Sequence, residues 1–83
     1  MMFDIHYFAS IRERLGVDSE QVSATAGTVT DLVEALVAAH GESYRKVLQD
    51  TRVLVAVNQE VRDMNAEIKD GDEIAFFPPV TGG

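Results

Sequence analysis

The 83-residue sequence predicts an α+β domain in which one main helix covers one face of a mixed β-sheet. Three observations lead to this fold class. Residues 3–9 alternate with a period of two, as β-strands do, residues 53–57 form a continuous β-branched apolar run, and residues 73–77 follow a turn signal at Asp70 and Gly71. Between them, residues 28–41 repeat apolar side chains at helical spacing. No repeat or linker interrupts this order, which favours a two-layer domain.

The first predicted strand has two different faces. In "FDIHYFA" the period of two places Phe3, Ile5 and Tyr7 on one side and Asp4, His6 and Phe8 on the other. The first side is wholly apolar, so we expect it to face the core. The second side is expected to be at least partly solvated, which leaves Phe8 exposed.

A short helix and a second strand are expected next. In "SIRERLG", Ser10 is a candidate cap and Gly16 a candidate stop. The following "SEQVSATA" is weakly patterned, which is typical of a strand at the edge of a sheet.

The strongest helical signal is "TVTDLVEALVAAHG". Thr28 is the expected N-cap, Asp31 three residues later resembles a capping box, and Gly41 is the expected end. The apolar stripe comprises Val29, Leu32, Val33, Leu36 and Val37. The next segment, "ESYRKVLQD", adds a turn or two of helix, with Tyr44, Val47 and Leu48 on one side.

The second half of the chain is predicted to return to strands. The run "VLVAV" is typical of a strand that is buried on both faces or lies under a helix. A tight turn is expected at Asn58 and Gln59, followed by a short segment that exposes Val61. After a turn at Asp70 and Gly71, the last strand covers residues 73–77.

A β-grasp arrangement, with the first and last strands parallel and adjacent at the centre, fits this order of elements. By the period of two, Phe76 points inward and Phe77 outward. Phe8 and Phe77 then lie on one sheet face, with Val61 at its margin. Several exposed apolar side chains on one face indicate a contact patch for a partner protein.

The composition narrows the range of functions that this protein could have. Fourteen acidic and seven basic residues give a net charge of −7, which disfavours nucleic acid and anionic membranes and favours a basic protein partner. The sequence has no cysteine, which excludes disulfides and thiolate chemistry. No signal peptide or membrane-spanning run is visible, so we expect a cytoplasmic protein.

The segment "FFPPVTGG" does not extend the sheet. Pro78 and Pro79 lack an N–H group, so we predict a domain over residues 1–77 and an extended flexible tail over 78–83. Six residues at about 3.3 Å each reach roughly 20 Å. Glycine lets a backbone pass where no Cβ fits, and its α-carboxylate can be activated chemically. A frayed end is the alternative for a bare Gly-Gly.

Three segments together carry a family resemblance. "YFASIRERLG", "VAVNQEV" and "DGDEIAFFPPVTGG" resemble the small, sulfur-carrier subunit of molybdopterin synthase, a ubiquitin-like β-grasp family. The Gly-Gly end and the "VN" and "DGDE" region are shared with the sulfur carrier of thiamine synthesis. The "FFPPVTGG" segment is specific to the molybdopterin branch.

The resemblance implies a mechanism centred on Gly83. In that family a partner activating enzyme adenylates the terminal glycine with ATP, and a sulfur-donor system converts it to a thiocarboxylate. The tail, here Pro78, Pro79, Val80, Thr81, Gly82 and Gly83, then enters the large synthase subunit. There the sulfur is transferred to cyclic pyranopterin monophosphate to build the dithiolene of molybdopterin.

The resemblance also implies the partners. The family docks through an apolar sheet face, and the matching positions are Phe8, Val61 and Phe77. Two large and two small subunits would form a heterotetramer. The carrier itself is expected to bind no cofactor, because the ATP is used by the activating enzyme. It is also expected to have no set of catalytic residues of its own.

Other functions stay open at this point. They are a carrier for thiamine thiazole synthesis, a ubiquitin-like modifier that joins Gly83 to lysines, and an interaction module with an inert tail. A metal site is not expected, because His6 and His40 lack ligand spacing and Asp70, Asp72 and Glu73 fit turn chemistry better.

Overall fold

The structure is a computed structural model, and it describes residues 1–50 and 52–79. Its elements are β1 (Met2–Tyr7), α1 (Ala9–Leu15), β2 (Ser19–Ser23), α2 (Val29–His40), α3 (Glu42–Leu48), β3 (Leu54–Val57), β4 (Glu60–Arg62) and β5 (Glu73–Phe77). The strands form one sheet in the order β2-β1-β5-β3-β4. β1 and β5 are parallel at the centre, and the other pairs are antiparallel. The α+β β-grasp prediction is confirmed.

The core lies between the sheet and the helices. The inward residues of β1 and β5 are fully buried, as are most of the apolar stripe of α2, and α3 adds its own apolar side to the same cluster. β3 lies under the helices with Val55 and Val57 in the core, whereas Leu54 on its other face is 37% exposed. β3 therefore fits the second of the two expectations for "VLVAV", a strand covered by helices on one face.

The caps of α2 agree with the prediction. The Asp31 N–H donates to Thr28 Oγ1 at 3.2 Å, and Gly41 ends the helix with a φ of 106°. The Asp31 carboxylate accepts from the Gly27 N–H at 3.2 Å, one residue further back than in a capping box. Thr28 and Asp31 together satisfy two backbone groups at this helix end.

The prediction that Ser10 caps α1 is wrong. The helix begins at Ala9, its N-cap is Phe8, and no side chain caps it. The Phe8 N–H donates to the Phe76 carbonyl at 3.0 Å, so the extended chain continues to Phe8 before the turn. Ala9, with a φ of 51°, makes that turn and leaves Ser10 inside the first helical turn. Gly16 is the C-cap, as predicted.

One buried carboxylate joins the two loops that precede β4 and β5. Asn58 and Gln59 have φ angles of 52° and 69°, which is typical of a two-residue hairpin turn. The Asn58 side chain donates to Asp72 at 3.0 Å and accepts from the Glu73 N–H at 3.0 Å. Asp72 also accepts from the Lys69 N–H at 2.8 Å. These bonds fix where β5 starts.

Glu20 on β2 holds a polar cluster that the sequence did not reveal. Its carboxylate accepts from the Tyr7 hydroxyl at 2.8 Å and the Tyr44 hydroxyl at 3.4 Å, and it lies 2.8 Å from His40 Nε2. Burial, reinforced by Glu20, raises the pKa of Tyr7 far above its ordinary value and that of Tyr44 to about 12. The neutral hydroxyls are therefore favoured in the folded protein.

These two pKa shifts predict a loss of stability at alkaline pH. Because both folded pKa values are raised, the stabilisation is complete below the ordinary tyrosine pKa of about 10 and is lost as pH rises above it. Tyr7 and Tyr44 are the only tyrosines, so tyrosinate absorbance is expected to rise together with loss of the circular dichroism signal. The Tyr44→Phe variant isolates Tyr7. Ionisation of both tyrosines near pH 10 in a folded protein would contradict this interpretation.

Candidate docking face and tail

The face of the sheet opposite the core, called here the outer face, carries an apolar stripe. This stripe consists of Phe8 after β1, Phe77 on β5, Leu54 on β3 and Val61 on β4, with Ala75 and Ala56 between them. Phe8 is 48% exposed and Val61 64%, whereas Phe77 is half-buried. The structure thus places all three predicted partner-binding residues on one face.

The strand register explains how the stripe is assembled. Leu54 pairs with Phe77, and Ala56 pairs with Ala75 on one side and Val61 on the other. Because side chains opposite each other in a register pair lie on the same face, the two alanines form a shallow floor between the larger side chains. Sequence reasoning missed Leu54. Every residue of that strand is apolar, so the sequence gives no contrast between its two faces.

The tail leaves the domain at the end of this stripe. β5 ends at Phe77, Pro78 is half-buried and Pro79 is exposed. A cavity of about 230 Å³ lies beside the two prolines, lined also by Arg14 of α1 and by Asp50 and Arg52. The predicted site residues Val80, Thr81, Gly82 and Gly83 lie outside the described residues, and the boundary between domain and tail stays a prediction.

A polar cluster lies next to the stripe on the same face. His6 Nε2 is 3.4 Å from Asp4 Oδ2 and 3.9 Å from Glu73 Oε2, and the His6 ring stacks on Phe8 with ring centroids 6.4 Å apart. Each of these three polar residues offers one potential ligand atom, and the three atoms lie within 4.8 Å of one another. A metal ion could be bound at this spacing. Spacing along the sequence could not show this, because Glu73 is on another strand. The expectation of no metal site stays a prediction.

The buried polar groups of the described residues are satisfied within the domain. In residues 1–50 and 52–79 no buried side-chain polar atom lacks a partner, and His40 is engaged with Glu20 at the end of α2. None of the helices in these two ranges is long and apolar enough to cross a membrane. The chemically distinctive features are therefore the apolar stripe, the adjacent polar cluster and the start of the tail.

Comparison with known proteins agrees with the fold. The ThiS family model matches residues 5–83. Over 82 residues the chain is 42% identical to the molybdopterin synthase sulfur carrier subunit of Escherichia coli, covering 99% of this chain and 100% of that protein. The crystal structure of SAMP1 from Haloferax volcanii matches with a TM-score of 0.77 and 29% identity, covering 100% of both chains.

A second structural match is part of an assembly. A structure described as the complex of subunits 1 and 2 of molybdopterin-converting factor from Helicobacter pylori contains a chain that is 28% identical, with a TM-score of 0.67 and full coverage of both chains. The resemblance drawn from the sequence is confirmed by these matches, as is the ubiquitin-like form of the β-grasp fold. The chain belongs to the ThiS family.

Proposed function

We propose that this chain is a sulfur carrier subunit of molybdopterin synthase. The observation that carries the proposal is the 42% identity, over essentially the whole of both chains, to proteins of that name from Escherichia coli and Haemophilus influenzae. The two alignments cover 99% of this chain and 100% of each relative, and the family model extends to Gly83. The outer face and the start of the tail described above fit that role.

The outer face is the proposed docking surface for the large subunit. The Helicobacter pylori complex supports a partner of this kind for this chain. Phe8, Phe77 and Leu54 form one end of the stripe, and Pro78 follows Phe77 directly, so a protein bound to the stripe also meets the start of the tail. Docking and insertion of the tail are thereby coupled through β5.

The reactive group is the α-carboxylate of Gly83. Attack of a carboxylate oxygen on the α-phosphorus of ATP releases pyrophosphate and gives an acyl adenylate, in the active site of an activating enzyme. Hydrosulfide (HS⁻) delivered by the donor system then attacks the carbonyl carbon, AMP leaves with the carbonyl–oxygen bond broken, and loss of a proton gives the thiocarboxylate. Its sulfur bonds to a carbon of cyclic pyranopterin monophosphate within the large subunit, and water then cleaves the bond between the sulfur and the Gly83 carbonyl carbon, which returns Gly83 to the carboxylate. This chain contributes the tail and no resident cofactor.

Protein modification is a second candidate. The chain is 35% identical over 82 residues to small archaeal modifier protein 1 of Haloferax volcanii, covering 92% of this chain and 94% of that protein. The same acyl adenylate would serve, with a lysine amine as the nucleophile in place of sulfur. Thiamine thiazole synthesis remains the alternative sulfur transfer within the family.

Reconstitution separates these functions. The carrier, the activating enzyme, ATP and a sulfur donor are incubated with the large subunit and cyclic pyranopterin monophosphate, and molybdopterin is measured. Formation of molybdopterin that requires every component is the expected result. Failure to form it, together with thiazole formation by the thiamine enzymes or with lysine-linked conjugates, would overturn the proposal.

A further inference from the structure

The exposed ring of Phe8 rests against a second ring on the outer face. His6 and Phe8 are two residues apart in extended chain, so their side chains lie on the same side of the sheet. The backbone stays extended at Phe8, whose N–H donates to the Phe76 carbonyl, so this rule applies one residue past the end of β1. In the part of the chain that the structure describes, His6 supplies the one aromatic ring that pairs with Phe8.

The two rings form a stack at the end of the strand. Their centroids are 6.4 Å apart and their planes are inclined by 23°, within the range of about 4.5–7 Å over which aromatic rings attract each other. Phe8 is 48% exposed, and the chain turns away at Ala9, which has a φ of 51°. An exposed side chain with few neighbours can sample several rotamers, and the His6 ring restricts that choice.

His6 is itself held from two strands. Its Nε2 lies 3.4 Å from Asp4 Oδ2 on its own strand and 3.9 Å from Glu73 Oε2 on β5. Its register neighbours, Ser19 on β2 and Ala75 on β5, are both small and do not crowd the ring. The His6 side chain is 34% exposed, less than the side chain of either acidic residue. The imidazole therefore has a defined position beside the apolar stripe.

We propose that His6 is a positioning residue for docking, whose ring holds Phe8 in the orientation that the large subunit binds. The inference rests on the proposed function, because it takes the outer face as the docking surface. Immobilising a side chain on binding costs free energy, and a side chain that is already ordered in the free protein avoids part of that cost. His6 thus strengthens binding through Phe8 and does not need to contact the partner itself.

Two substitutions of His6 separate its ring from its polar contacts. His6→Gln keeps a side chain that can hydrogen-bond to the carboxylates but removes the ring, whereas His6→Phe keeps a flat ring and removes those contacts. Titration calorimetry with the purified large subunit gives Kd for both variants and for the control, Gln21→Ala. Gln21 is an exposed residue of the edge strand β2 and pairs with Asp4 rather than with His6.

His6→Gln is expected to raise Kd about 2- to 10-fold, whereas His6→Phe restores most of the affinity and Gln21→Ala changes it little. NMR provides a readout on the free protein. The three-bond couplings about χ1 of Phe8 are expected to move, in His6→Gln, from the values of one rotamer toward the average over several. Loss of a direct contact between His6 and the partner could not produce this change. The melting temperature of each variant shows that it is folded.

A double-mutant cycle tests whether His6 acts through Phe8. In a Phe8→Ala background, His6→Gln is expected to change Kd no further, because no ring remains to be positioned. Full additivity of the two substitutions would overturn the inference. Unchanged Phe8 couplings in His6→Gln, weak binding of His6→Phe, or an unchanged Kd for His6→Gln would also overturn it.

Phe8→Ala alone distinguishes this inference from the proposed function. If that substitution leaves binding of the large subunit unchanged, the docking face is wrong and the role of His6 falls with it. The sulfur-carrier function is judged separately, by the reconstitution of molybdopterin synthesis.

Discussion

Adding one alanine after Gly83 is expected to abolish sulfur loading while leaving the fold intact. The added residue moves the carboxylate by one position and places a Cβ directly after the two glycines Gly82 and Gly83. The buried core of the described residues ends at Phe76, so the addition touches none of it. Intact mass after incubation with the activating enzyme, ATP and a sulfur donor reads out loading, and the melting temperature reads out folding.

One alanine added before Met1 is the matched control for this variant. Met1 is 45% exposed, and the control changes length and mass equally without touching the tail. It is expected to load sulfur as the wild type does. Loading of the Gly83-extended chain with the extra alanine still attached would contradict a requirement for a free terminal glycine.

Phe77→Ala is expected to weaken binding of the large subunit by about 1–3 kcal/mol, roughly a 5- to 150-fold rise in Kd. Phe77 lies at the end of the stripe from which the tail leaves, paired with Leu54 and followed directly by Pro78. Removing its ring takes away apolar contact area that a partner would otherwise bury. Titration calorimetry with the purified large subunit measures the change.

The neighbouring phenylalanine provides a contrasting control. Phe76 is fully buried and stacks on Tyr7 with ring centroids 6.0 Å apart, so Phe76→Ala is expected to cost about 3–5 kcal/mol of folding stability. Phe77→Ala should instead melt close to the wild type. A large stability loss with unchanged binding in Phe77→Ala would show that its ring belongs to the core rather than to the docking face.

The two-residue period of side chains along a β-strand made most of the outer face predictable from the sequence. Alternation in β1 and β5 was enough to separate Phe76 from Phe77 and to leave Phe8 outward, because each strand has one wholly apolar side. The same rule did not find Leu54, since β3 is apolar throughout and gives no contrast between its faces. The stripe was therefore predicted at three positions out of its four larger side chains.

Features that depend on contacts between distant segments could not be predicted. The Asp4 and Glu73 pair needs the register between the first and last strands, and local patterns do not contain that register. The three partners of Glu20 come from β1, α2 and α3 and meet only in the packed domain. Ser10 was misplaced because β1 ends at Tyr7 and the chain turns at Ala9, which has a positive φ, so α1 starts before Ser10.

The central claim is that this chain carries sulfur on Gly83. It is tested most directly by mass spectrometry of the unmodified chain after incubation with its activating enzyme, ATP and a sulfur donor, with fragmentation to locate the change. The account predicts a gain equal to the mass difference between sulfur and oxygen, confined to Gly83 and dependent on ATP. No gain, or a gain located on any other residue, would contradict it.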